Sequence, residues 1–116
     1  NADRARSHEK SGRMMRWAAL FTDKTEGAAE IRAEHTADHQ AYLRKYKGKI
    51  VLAGAMRAQE GGSPVGGLWI FEAETKAEVE KIIAEDPFQI HGLRATTTIN
   101  VWGTAPGYED VTIAPR

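Results

Sequence analysis

The chain has 116 residues with 16 basic and 16 acidic side chains, so its formal net charge is zero at neutral pH. That length is typical of one domain, and the apolar fraction of 41% predicts a folded chain rather than a disordered one. The balanced charge argues against a nucleic acid or an anionic membrane as partner. Because the chain has no cysteine, disulfides, thiolate metal sites and cysteine nucleophiles are excluded.

The net charge of zero conceals an excess of basic side chains in the N-terminal segment. Residues 1–16 carry five basic against two acidic side chains, so the remainder carries eleven against fourteen. We interpret residues 1–14 as a basic leader or tag, expected to be disordered. We predict a folded domain over residues 15–103 and a C-terminal tail over 104–116. No apolar run approaches the roughly 18 residues that a membrane span requires, and we expect a cytoplasmic protein.

The first half of the domain predicts three strands and one helix. The apolar run Arg16–Phe21 is typical of a buried strand. The segment from about Gly27 to Tyr46, rich in Ala, Glu and Arg, predicts a long helix. Two further strands are predicted at Lys49–Arg57 and Val65–Glu72, joined by a glycine-rich turn of the hairpin type.

The second half adds one helix and one strand. Thr75 and Glu78 form a capping box, which predicts a helix over Lys76–Glu85. Pro87 disfavours helical geometry in the preceding residue and ends that helix. The alternating segment Ala95–Trp102 predicts the fourth strand. The order β-α-β-β-α-β is that of an α+β, ferredoxin-like fold.

This fold leaves one face of its sheet without a cover. Both predicted helices lie on the same face, while the first and third strands are apolar on both sides. A unit of about 90 residues also buries only a thin core of its own. A second copy of the sheet is the simplest cover, so we expect a homodimer formed by isologous packing.

Two histidines lie on the predicted inner face of the first helix. At 100° per residue, Ile31, His35, His39 and Tyr42 fall within roughly 80° of one another. Three interpretations stay open: half-buried core residues, metal ligands at i and i+4, or a general acid–base. The metal interpretation lacks an obvious third ligand.

Asp86 is the candidate carboxylate that would orient such a histidine. In a split βαβ fold the two helices lie side by side, so we expect His39 and Asp86 within hydrogen-bond reach. Asp86 is predicted at the end of the second helix, where the helix dipole disfavours a negative charge. An aspartate before a proline is also an ordinary turn device, and both interpretations stay open.

Four further polar side chains are candidates of lesser weight. Arg32 pairs either with a substrate oxyanion or with Asp86. His91 is a second candidate base, on a loop that we expect to be exposed. Arg57 and Arg94 stand at the ends of predicted elements, and we expect both to be solvated.

Several large side chains either line a cleft for a planar substrate or form ordinary core: Met56, Trp69, Phe88 and Trp102. The paired glycines lack the Lys-Ser/Thr of a phosphate-binding loop, and we expect neither a cofactor nor a metal. The side chains that we predict around the substrate are Arg32, His35, Met56, Trp69 and Phe88.

Three short segments carry a family pattern: HQAYL at 39–43, LAGA at 52–55, and DPF at 86–88 followed by Gly92. In their order and spacing, across about Met15–Trp102, the chain resembles the YCII-related (YciI-like) family. The resemblance implies a dimeric α+β barrel with a pocket between helices and sheet in each subunit. It also implies a His–Asp pair, which maps onto His39 and Asp86.

The resemblance further implies a cofactor-independent enzyme that acts on an intermediate of the aromatic-catabolism type. We expect a lyase or isomerase, similar to a dehydrochlorinase or to muconolactone isomerase, with the His–Asp pair transferring a proton. Two alternatives stay open at this stage. One is a barrel that binds a small ligand without turnover, and the other is a barrel that binds metal or haem.

Overall fold

The computed structural model of the chain describes residues 13–110. The predicted leader therefore lies almost wholly outside the described residues, as does the last part of the predicted tail. The α+β, ferredoxin-like order is confirmed, with one additional helical turn. The elements are β1 (Met15–Asp23), α1 (Ala28–Lys45), β2 (Ile50–Arg57), β3 (Pro64–Ala73), α2 (Lys76–Ala84), α3 (Pro87–Ile90) and β4 (Arg94–Val101).

The four strands form one antiparallel sheet in the order β2-β3-β1-β4. The two central strands are in register, so that Trp17 lies opposite Phe71 and Leu20 opposite Leu68. Side chains alternate between the two faces of a strand, and β1 therefore sends Trp17, Ala19 and Phe21 to the buried face. The next residue on that face is Asp23, which places a carboxylate at the end of the core.

Both long helices cover this buried face. The predicted inner face of α1 is confirmed, since Tyr42 is buried and His35 and His39 are half-buried. Helix α2 begins at the predicted cap, where the Glu78 backbone N–H donates to the Thr75 hydroxyl at 3.2 Å, a bond that satisfies one free N–H of the first turn. Within residues 13–110, no helix has the length and apolarity needed to cross a membrane.

The turn after α2 holds the short helix α3, which the sequence pattern did not predict. Asp86 has extended backbone angles (φ −68°, ψ 127°) and is the N-cap of α3, because its carboxylate accepts from the Phe88 N–H at 3.1 Å. Asp86 follows α2 directly, as predicted, since its N–H donates to the Ile83 carbonyl oxygen of that helix at 3.0 Å. It caps the beginning of the next helical turn, where free backbone N–H groups favour an acidic side chain.

The face of the sheet away from the helices carries exposed apolar side chains. Leu20, Leu52, Met56 and Leu68 are between 40% and 50% exposed. Leu20 and Leu68 are direct neighbours across β1 and β3, so these side chains belong to one surface rather than to scattered sites. We call the surface defined by these four residues the open sheet face. It is a group of neighbouring apolar side chains, unlike the single exposed hydrophobic residues that are normal on a protein surface.

Candidate active site

His39 and Asp86 lie together although 47 positions separate them in the chain. The His39 Nδ1 and Asp86 Oδ1 atoms are 2.7 Å apart. The Asp86 side chain is fully buried and that of His39 is 13% exposed. The Phe88 ring stacks on the imidazole, with ring centres 4.1 Å apart and planes within 19°. When Nδ1–H donates to the carboxylate, the neutral ring has a free lone pair on Nε2.

Arg94 compensates the buried charge of Asp86. Its Nη2 donates to Asp86 Oδ2 at 2.9 Å, and the Arg94 side chain is only 5% exposed. Burial lowers the pKa of the Arg94 guanidinium, while the charges of Asp86 and Asp23 act in the opposite direction. The group keeps its proton at neutral pH because an arginine starts from a very high pKa.

The prediction that Arg94 is solvated is wrong. Arg94 is the first residue of β4 and lies opposite Asp23 of β1 in the sheet. Its guanidinium carbon lies 4.2 Å from the centre of the Phe21 ring, an arrangement in which the aromatic face attracts the cation. The end of a strand is therefore a buried position here, because α1 and α3 cover it.

Arg32 also faces this cluster, but its partner is not the predicted one. Its Nη2 donates to Asp23 Oδ2 at 2.5 Å, so the interpretation that Arg32 pairs with Asp86 is wrong. Asp23 also approaches Arg94, with 3.8 Å between Oδ1 and Nη1. Two carboxylates thus alternate with two guanidinium groups, and the cluster is electrically neutral when the His39 imidazole is neutral.

A cavity of about 220 Å³ opens beside this cluster, between α1 and the sheet. Its floor is formed by small residues of β2 and β3, including Ala53, Gly54 and Gly67, which leave room above the strands. The volume lies below the usual range for drug-sized ligands, so the cavity suits a single small ring. The larger side chains around it, apart from Gln40 and Leu43, are those of Arg32, Thr36, His39, Trp69, Phe88 and Arg94.

The sequence of residues 15–103 matches the family model of the YCII-related domain. This chain belongs to the YCII-related family. It is similar in structure to the 5-chloro-2-hydroxyhydroquinone dehydrochlorinase of Burkholderia phenoliruptrix in complex with 2,5-dihydroxybenzoquinone, with 29% identity and a TM-score of 0.70 over 78% of this chain and 96% of that one.

A second similar structure is a NIPSNAP family protein of Agrobacterium tumefaciens. It is 10% identical with a TM-score of 0.51, and the match covers 85% of this chain and 100% of that one. At this identity the likeness shows the fold alone. No curated protein matches the chain.

Some of the residues that we predicted around the substrate line the cavity of this YCII-related protein, and others do not. Of the predicted site residues, Arg32, His39, Trp69 and Phe88 line it, and Arg94 and Thr36 are additional lining residues. Met56 does not, and that prediction is wrong. Since Ala53 and Ala55 face the cavity, strand alternation turns Met56 to the open sheet face, where it is 43% exposed.

His35 and Trp102 also lie outside the cavity lining. The His35 ring stacks on that of His91, with centres 3.6 Å apart and planes within 8°. His91 itself is exposed, as predicted. His35 therefore packs α1 against His91 at the end of α3. Trp102 is 44% exposed and is neither core nor part of the cavity lining, in contrast to the prediction.

The two histidines of α1 turn to different partners, His35 to His91 and His39 to Asp86. The i, i+4 spacing therefore places the two rings against different partner side chains. Among residues 13–110 there is no group of three or more His, Cys, Asp or Glu side chains that could hold a metal ion.

Proposed function

We propose that this YCII-related protein is a cofactor-independent enzyme for a small molecule, of the lyase or isomerase type. His39 would transfer the proton and Asp86 would hold the imidazole in place. The observation that carries the proposal is the 2.7 Å contact between His39 and the fully buried Asp86 at the wall of a ligand-sized cavity. An acid–base imidazole oriented by a carboxylate is a recurring catalytic arrangement.

The charges of the site favour proton transfer to His39. Asp86 accepts from Nδ1–H, and Nε2 is the nitrogen left to take a proton from the substrate. The resulting imidazolium is stabilised by the Asp86 carboxylate, and the Phe88 ring keeps the imidazole plane fixed. When the reaction starts from the neutral imidazole, the only new charges are the imidazolium and the substrate anion.

The size of the catalytic effect restricts the substrate. Acid–base catalysis by a positioned side chain contributes about 10²- to 10⁴-fold, so the substrate must already be acidic or activated. A hydroxylated ring meets that requirement, and the similar dehydrochlorinase acts on 5-chloro-2-hydroxyhydroquinone. We therefore take the elimination of HCl from a chlorinated hydroxyhydroquinone as the first reaction to test.

This elimination is balanced without a further reactant. His39 takes one proton, chloride leaves with the electron pair of its bond to carbon, and the product is the substrate less HCl. No oxidant or reductant is consumed.

The test is the release of chloride from 5-chloro-2-hydroxyhydroquinone by the purified protein. We expect turnover by the wild type and a loss of about 10²- to 10⁴-fold in kcat for His39→Gln. Wild-type kcat in that variant would refute the role of His39. Binding of 2,5-dihydroxybenzoquinone without any chloride release would refute the elimination and favour a binding function.

We further propose that the protein is a homodimer in which the open sheet face of one copy covers that of the other. The exposed Leu20, Leu52, Met56 and Leu68 support it, because a surface of this composition is costly in water. Light scattering on a size-exclusion column should give twice the chain mass for the wild type and the single mass for Leu68→Lys. The control Ile90→Lys, on α3, should stay dimeric. A monomeric wild type would refute the proposal.

We retain the cytoplasm as the proposed location. Fractionation of the natural host should recover the protein in the cytoplasmic fraction.

A further inference from the structure

Trp69 presents an unused hydrogen-bond donor inside the protein. The residue is 3% exposed, and its indole N–H makes no hydrogen bond with any of residues 13–110. The other buried tryptophan differs, since Trp17 Nε1 donates to the Ala73 carbonyl oxygen at 3.0 Å. Trp69 Nε1 is not one of the fully buried unpaired atoms of residues 13–110, so this donor is accessible from the cavity that Trp69 lines.

The cavity explains where the missing partner would come from. Trp69 and Gly67 both line it. A Cβ atom at Gly67 would lie 3.6 Å from Trp69 Nε1 and 3.1 Å from the Gly54 carbonyl oxygen. Because Gly67 has no side chain, the space beside the indole N–H belongs to the cavity and is open to a ligand atom.

The same cavity brings this donor close to the proposed base. The ring centres of Trp69 and His39 are 5.8 Å apart, so one small ring can contact both. Meanwhile Arg32 is paired with Asp23 and Arg94 with Asp86. The cavity therefore has no uncompensated cation to demand a strongly anionic ligand such as a carboxylate or phosphate.

We propose that the Trp69 indole N–H binds an oxygen atom of the ligand and that Gly67 keeps this position open. An indole N–H only donates, so its partner is an acceptor: the carbonyl or enolate oxygen of a small planar ring. This inference rests on the proposed function only in taking the cavity as the ligand site. The bond does not depend on proton transfer by His39.

The test follows the indole N–H signals of the ¹⁵N-tryptophan-labelled full chain during titration with 2,5-dihydroxybenzoquinone. We expect the Trp69 indole proton to move downfield as it forms a hydrogen bond, while the Trp17 signal stays in place. This measurement uses the wild-type protein, so it does not depend on the folding of any variant.

Affinity measurements on variants complete the test. Trp69→Phe keeps an aromatic ring but loses the donor, and we expect its Kd for 2,5-dihydroxybenzoquinone to rise about tenfold or more. Gly67→Ala should also raise the Kd, since its methyl group would occupy the space beside Nε1. The control Trp17→Phe loses a structural bond outside the cavity and should leave the Kd unchanged.

A stationary Trp69 signal with the quinone bound would overturn the inference. So would equal Kd values for Trp69→Phe and Trp17→Phe, or no binding of the quinone at all. A moving Trp69 signal combined with no chloride release from 5-chloro-2-hydroxyhydroquinone would support the inference and refute the proposed elimination. The two proposals can therefore fail separately.

Discussion

Replacing Asp86 by asparagine tests the energetic role of the buried charge cluster. The substitution keeps the shape of the side chain and removes its charge. Arg94, with a side chain only 5% exposed, would then face only Asp23, at 3.8 Å, in place of two carboxylates. The guanidinium would remain buried with much of its compensation lost.

The expected cost is large for a domain of this size. Two unit charges about 4 Å apart interact by roughly 4 kcal/mol at an effective dielectric constant of 20. Removing one partner of a buried pair typically costs about 3–5 kcal/mol, because the other charge stays buried without its partner. We expect Asp86→Asn to lower the free energy of unfolding by that amount, out of the roughly 5–15 kcal/mol typical of a domain.

A double-mutant cycle isolates the pair from the other contacts of Asp86. Arg94→Met removes the cation, and the double variant Asp86→Asn/Arg94→Met removes both charges. We expect the double variant to lose about 2 kcal/mol less than the sum of the single losses. Urea unfolding should be followed at one protein concentration, since association shifts the apparent stability. Losses that add to within about 0.5 kcal/mol would show that the two charges are not coupled.

Two further predictions concern buried positions away from the catalytic pair. Tyr42→Phe removes the 2.6 Å bond to the Ile82 carbonyl and should cost about 0.5–1.5 kcal/mol in urea unfolding. Burial, with a smaller effect of nearby carboxylates, raises the pKa of Tyr42. The unfolded chain therefore loses this proton first, above about pH 10, and wild-type stability should fall more steeply there than that of the variant; equal slopes would refute this. Gly66→Ala would place its Cβ against the Phe21 carbonyl oxygen and should cost about 1–3 kcal/mol. Gly48→Ala meets nothing within 4 Å and should leave the calorimetric Tm nearly unchanged; equal Tm values for the two variants would contradict the packing argument.

The order of elements could be predicted because local signals agree with the fold. The alternating and apolar runs mark the strands, and the capping box at Thr75 marks the start of the second helix. The inner face of the first helix follows from its periodicity and places His39 correctly. Topology and the family resemblance together pointed to Asp86, since only the fold brings the end of the second helix next to the first.

The charged partners of the pair could not be predicted in the same way. Arg94 and Asp23 meet because β1 and β4 pair in one particular register, which no local pattern specifies. A signal for Asp23 did exist, since it continues the buried alternation of Trp17, Ala19 and Phe21. Met56 was misplaced because the phase of alternation in β2 is not evident where small residues face the cavity. The chain gives no sequence signal for the unpaired N–H of Trp69.

The most direct test of proton transfer by His39 compares two histidines one turn apart on the same helix. His39 contacts Asp86 and lines the cavity, while His35 stacks on His91 outside the lining. The measurement is the rate of chloride release from 5-chloro-2-hydroxyhydroquinone by His39→Gln relative to His35→Gln. Proton transfer by His39 predicts a ratio of about 10⁻² to 10⁻⁴, with His35→Gln close to wild type. A ratio near one would contradict it.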